Sequence, residues 1–125
     1  MKKVLLIDDD EFVRDIVLTK MQKTDYEVDA AEDAGAGEKL LAHTDYDLIF
    51  LDMVLPDKSG LTLLKELKND ERYKTIPVVI FSNHDNPELQ EQCRDAGADG
   101  FFVKGAIDLE PLLAQVTKIL WEKHE

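Results

Sequence analysis

Leu48-Ile49-Phe50-Leu51-Asp52-Met53-Val54-Leu55-Pro56-Asp57-Lys58-Ser59-Gly60 decides the fold. Apolar residues run without a break from Leu48 to Leu51, as in a strand covered on both faces. Asp52 ends the run, and Pro56 marks a turn. Ser59 then stands at a helix N-cap position, ahead of Leu61, Leu64 and Leu67 at helical spacing over Gly60–Asn69. Strand, polar loop and helix make half of a parallel α/β unit.

The same order recurs on both sides. Val4–Ile7, Val78–Phe81 and Phe101–Val103 are further continuous runs. Tyr26–Ala31 differs: Tyr26, Val28 and Ala30 alternate with Glu27 and Asp29, as in a half-exposed edge strand. Helical patterns fill the gaps. Glu11–Lys23 carries Phe12, Val13, Ile16, Val17 and Met21 at i, i+3 and i+4 spacings, and Asp33 caps Asp33–His43. Asn86-Pro87 opens a helix that ends near Gly97, and Asp108 caps a last one to about Lys123. Strand and helix alternate throughout. That order predicts a parallel sheet with helices on both faces and right-handed crossovers.

Composition narrows the function. In 125 residues, 27 Asp and Glu outweigh 15 Lys and Arg, for a net charge of −12. The length fits one domain of about 100–200 residues, so residues 1–125 are read as a single domain with no output domain. No apolar run approaches the roughly 20 residues of a membrane helix, and the amino terminus lacks a signal-peptide pattern. The single cysteine, Cys93, excludes an internal disulfide and a CxxC metal site, which makes the cytoplasm the default location. The acidic balance disfavours direct binding to nucleic acid.

The residues that follow the continuous runs carry the chemistry. Asp8, Asp9 and Asp10 follow Ile7, Asp52 follows Leu51, Ser82 follows Phe81 and Lys104 follows Val103. In an open α/β sheet the ligand crevice lies beyond the carboxyl ends of the strands. Each residue alone has an ordinary explanation as a cap, a turn or a solvated side chain. Together they bring carboxylates, a hydroxyl and an ammonium to one rim. Two carboxylates about 4 Å apart repel by roughly 4 kcal/mol at an effective dielectric of 20. Such a cluster needs a cation or shifted pKa values. Oxygen-only ligation points to Mg²⁺, with Mn²⁺ as the alternative. Lys104 would steady a transferring phosphoryl group, Ser82 would donate to it, and a carboxylate would serve as its nucleophile.

These residues resemble the receiver domain of bacterial two-component response regulators, over essentially the whole chain. The resemblance rests on Val4–Asp10, Leu48–Gly60, Val78–Asn83 and Ala96–Gly105, and above all on D-x-x-x-P-x-x-x-G from Asp52 through Pro56 to Gly60. It implies a CheY-like, flavodoxin-like doubly wound (βα)5 fold with strand order 2-1-3-4-5. It implies that Asp52 is the phosphoacceptor. Asp9 would bind Mg²⁺ directly, Asp8 partly through water, and the backbone carbonyl of Val54 would complete the protein ligands. Ser82 would sense the phosphoryl group beside Lys104, and Phe101 would be the aromatic switch residue. Asp10 lies beyond the acidic pair and is read as a helix cap. The implied donor is a sensor histidine kinase or a histidine phosphotransfer protein. The implied readout is a downstream protein target on the face of the fourth helix, fifth strand and fifth helix. The implied state is a monomer or a weak phosphorylation-dependent dimer.

Two positions depart from that pattern. Gly105 follows Lys104 where the family has proline after a cis bond, and such a bond costs about 2.5–4 kcal/mol without proline. Asn83 stands where a small residue is common. His84 is read as a solvated loop residue, and Trp121 as packing at the end of the core or partly exposed. Phe12, Ile16 and Leu18 are candidates for exposure on the first helix, as a kinase-docking shoulder or as part of a crowded core. Three alternatives remain at this point. One is a receiver-like interaction module that works without phosphorylation. A second is a haloacid-dehalogenase-type phosphatase, which would use Asp8-x-Asp10, Ser82 and Lys104 but leave Asp52 idle. The third is a flavin-binding protein, whose phosphate the triple aspartate would repel.

Overall fold

Every apolar run becomes a strand in the computed structural model, which describes residues 2–83, 86–104 and 109–123. The elements are β1 (Lys2–Ile7), α1 (Glu11–Met21), β2 (Tyr26–Ala31), α2 (Ala34–His43), β3 (Leu48–Asp52), α3 (Gly60–Lys68), β4 (Val78–Ser82), α4 (Pro87–Asp95), β5 (Gly100–Val103) and α5 (Leu109–Lys123). The strands form one parallel sheet of order β2-β1-β3-β4-β5. This is the expected flavodoxin-like architecture.

Successive residues of a strand face opposite sides of the sheet. On one side Leu5, Ile7, Ile49, Leu51, Val78 and Ile80 pack with Ala34 and Leu41 of α2, Leu63, Leu64 and Leu67 of α3 and Cys93 of α4. On the other, Val4, Leu6, Leu48, Phe50, Val79 and Phe81 pack with Val13, Val17 and Met21 of α1 and Val116, Ile119 and Leu120 of α5. The Phe50 and Phe81 rings stack at 4.9 Å between centroids. β3 and β4 are buried at every position, which explains their unbroken apolar runs.

β5 departs from its sequence pattern. Its apolar run suggests cover on both faces, yet all four residues are only half-buried, because β5 is the other edge of the sheet. Of the three shoulder residues, Phe12 is exposed, while Ile16 and Leu18 are half-buried. Asp10, Asp33, Ser59 and Asn86 all cap as expected, each accepting N–H groups of the first turn that follows. Gly97, with φ 104°, ends the turn after α4. The readings of His84, Gly105 and Asp108 fall outside the described residues, as does that of the Trp121 side chain. Among the described residues no helix is long and apolar enough to cross a membrane.

Candidate functional site

Parallel strands in register bring their last residues to one edge. Asp8 follows β1, Asp52 and Ser82 end β3 and β4, and Lys104 follows β5. All four are buried, whereas Asp9 is exposed at the rim. The structure therefore brings Asp8, Asp9, Asp52 and Lys104 together, sets Ser82 at the same edge of the sheet, and assigns Asp10 to the cap of α1.

Lys104 is the hub. Its Nζ lies 2.8 Å from Asp8 Oδ2 and 3.1 Å from Asp52 Oδ1. Burial opposes the ammonium, but attraction to Asp8 and then to Asp52 outweighs it and raises its pKa above the ordinary lysine value. Asp8 is held from several sides. Its Oδ1 accepts the Asp10 N–H at 2.9 Å, its N–H donates to the Ala31 carbonyl, and its own carbonyl accepts from Arg14. Asp8 Oδ2 is at ion-pair distance from Lys104 but takes no hydrogen bond of good geometry.

Asp52 is pushed up to about 6, first by burial and then by the neighbouring Asp8 charge, with Lys104 pulling the other way. The Val54 N–H makes a long contact of 3.3 Å to Asp52 Oδ1. The loop behind Asp52 is tied off tightly. Val54 bridges to Ser59, and the Gly60 N–H donates to the Met53 carbonyl at 2.8 Å. A Cβ on Gly60 would lie 2.1 Å from the Asp52 carbonyl oxygen and 2.7 Å from Met53 Cα. Only glycine lets α3 start this close to β3. Phe101 is half-buried against the core beneath α4.

The donor set fits a divalent cation. One carboxylate oxygen from each of Asp8, Asp9 and Asp52 lies within 4.8 Å of the others. Three carboxylates face a single ammonium here, so a divalent ion would balance the cluster. The underused Asp8 Oδ2 supplies an acceptor, and all three side chains offer the hard oxygens that Mg²⁺ prefers. A surface hollow of about 710 Å³ lies elsewhere, at the amino ends of β3 and β4, lined by Tyr46, Asp47, Lys68 and Lys74 to Pro77. It contains none of these groups.

Fold and rim together define a class: a doubly wound α/β domain with an acidic cluster, a buried lysine and a hydroxyl at the carboxyl ends of its strands. The response regulator receiver domain family matches residues 4–117, and the chain belongs to that family. It is 35% identical over 120 residues to the DNA-binding dual master transcriptional regulator RpaA of Synechocystis, covering 96% of this chain and 49% of RpaA. The chain spans about half or less of the length of the curated relatives it matches. Among solved structures, a two-component response regulator from Clostridium difficile superposes with a TM-score of 0.92 at 26% identity, with 100% of both chains covered. The response regulator TrrA of Thermotoga maritima, crystallised in complex with Mg²⁺ and BeF, gives 0.83 at 27% identity, covering 95% of this chain and 99% of that one. Receiver domains are in general signalling domains of two-component systems, with a Mg²⁺-binding acidic pocket and histidine kinases or phosphotransfer proteins as partners. The dehalogenase-type and flavin-binding alternatives give way to this family.

Proposed function

We propose that this chain is a working phosphoacceptor receiver and that Asp52 takes the phosphoryl group. The observation that carries the reading is the Lys104 ammonium seated between Asp8 and Asp52, 2.8 Å and 3.1 Å away, inside a cluster of three carboxylates. An Asp52 oxygen forms a bond to phosphorus as the P–N bond of a phosphohistidine breaks, and the leaving imidazole takes up a proton. Lys104 holds the Asp52 carboxylate in place and faces the negative charge that develops on the phosphoryl oxygens. Asp8, Asp9, Asp52 and the Val54 carbonyl would hold Mg²⁺, which supplies charge neutralisation for the transferring group. Ser82, buried at the end of β4, would donate to the new phosphoryl group. Phe101, half-buried on the adjacent strand, is the side chain that would repack in response.

The donor is a sensor histidine kinase or a histidine phosphotransfer protein, and the output is a changed protein-binding surface. Residues 1–125 act as one receiver unit in this scheme. The deciding experiment is intact mass spectrometry after incubation with acetyl phosphate, with and without Mg²⁺, on the wild type and Asp52→Asn. A single labile phosphoryl adduct that needs both Mg²⁺ and Asp52 is expected. No adduct on a wild type that binds Mg²⁺ normally would point instead to an interaction module that works without phosphorylation.

A further inference from the structure

The first turn of α2 is capped by two aspartates, only one of them its own. Asp33 Oδ1 accepts the Ala36 N–H at 2.7 Å. The N–H groups of Ala34 and Gly35 donate instead to Asp57, to Oδ1 at 3.0 Å and to Oδ2 at 2.9 Å. A helix start leaves such N–H groups without intrahelical partners. Here both oxygens of a carboxylate from the loop after β3, 22 and 23 residues along the chain, satisfy them. Lys58 adds a second tie, with its Nζ 2.9 Å from Glu38 of α2 and 2.7 Å from Glu66 of α3.

The same helix also presses on the other arm of the site. A Cβ on Gly37 would lie 2.5 Å from Ile7 Cδ1, and Ile7 directly precedes Asp8. The Asp8 N–H donates to the carbonyl of Ala31, three residues before α2 starts. One helix therefore touches both segments that carry the acidic cluster: β1 by close packing and the loop 52–60 through Asp57.

We propose that Asp57 is a positioning residue for the cation site. It locks the loop that bears Asp52 and the Val54 carbonyl onto α2, the helix that also seats the end of β1 beneath Asp8. The inference rests on the cation-binding reading above. Two lesser roles for Asp57 make different predictions. As a mere helix cap it would act through the stability of α2. As a mere charge it would act through the field at the rim.

Calorimetric titration of Mg²⁺ into the full chain, with a thermal melt of each variant, separates these roles. Asp57→Ala is expected to weaken Mg²⁺ binding about tenfold, the lower end of what loss of a supporting contact around a metal site costs. Asp57→Asn loses the charge but keeps one acceptor, so a loss of about threefold is expected. Asp33→Ala removes a charge and a cap from the same helix without touching the loop. It should lower the melting temperature yet leave Mg²⁺ binding within about twofold of the wild type. Three results would overturn the proposal: wild-type affinity in Asp57→Ala, an equal loss in Asp33→Ala, or an Asn variant as weak as the Ala variant. A wild type that binds no Mg²⁺ would overturn the cation-site reading as well, a result distinct from all three.

Discussion

α3 and α4 flank the same sheet face and have nine residues each, but they are seated very differently. α3 buries Gly60, Leu63, Leu64 and Leu67. Among the described residues of α4, Cys93 alone is buried, its Sγ 3.6 Å from Met53 Sδ. The strands beside them follow suit: β3 is buried throughout, while β5 is half-buried throughout. The site thus has one arm fixed by a large apolar contact and one held lightly. Segments with few buried contacts open at the lowest free energy. In the proposed mechanism, the carboxylate that takes the phosphoryl group sits on the first arm, and the surface that responds sits on the second.

The comparison breaks most directly at Gly60. Gly60→Ala drives a methyl into backbone atoms that cannot step aside. It should cost more than about 3 kcal/mol in urea unfolding, the upper end for overpacking. A near-neutral result would mean that the firm arm yields. Next in size is the contrast between the helices. Leu64→Ala should cost about 3 kcal/mol and Cys93→Ala only about 1 kcal/mol, since both are buried but the removed volume and contacts differ. Equal losses would show that α4 is seated as firmly as α3.

The third prediction concerns charge on the firm arm. Asp52 has its pKa raised from 3.8 to about 6 in the folded protein, so the unfolded chain ionises first as pH rises. Between about pH 4 and 6 the folded state binds more protons, and stability falls as pH rises through that window. Asp52→Asn should therefore gain stability over the wild type at pH 7.5 relative to pH 4.5, by on the order of 1 kcal/mol in chelator-treated samples. Paired urea melts at the two pH values provide the check, and a difference that ignores pH would sink it. The smallest effect is expected at Glu66, whose pairing with Lys58 is half-exposed. Glu66→Gln should change stability by less than about 0.5 kcal/mol, showing that apolar contact rather than ion pairing seats α3.

Much of this was legible in the sequence because its signals are local. Continuous apolar runs marked β1, β3 and β4, and alternation marked β2 as an edge. The residue after each run fell at the carboxyl rim because parallel strands leave no other place for it. Asp10, Asp33, Ser59 and Asn86 could be read as caps from their position before helical periods. β5 misled because Phe101, Phe102 and Val103 are apolar all through, and apolarity alone does not distinguish an inner strand from a lightly covered edge. Asp57 went unnoticed for a different reason. Its partners, Ala34 and Gly35, offer only backbone N–H groups, which carry no side-chain signature, and they lie more than twenty residues away. The tie of Lys68 to Asp99, 3.2 Å across the far end of the sheet, was equally silent.

β1 lies inside the sheet although it comes first in the chain, and this has a consequence for synthesis. Its partners arrive late: Val4 pairs with Val28 on one side and with Leu48 on the other. The layer over Val4 and Leu6 is completed only by Val116, Ile119 and Leu120 of α5. On a ribosome, β1 must wait for α5 before its apolar face is closed. Pairing across such distances is slow, and the waiting strand is open to wrong partners. The two lysines at its start, followed by the aspartates at its end, keep that exposed segment charged at both tips while it waits.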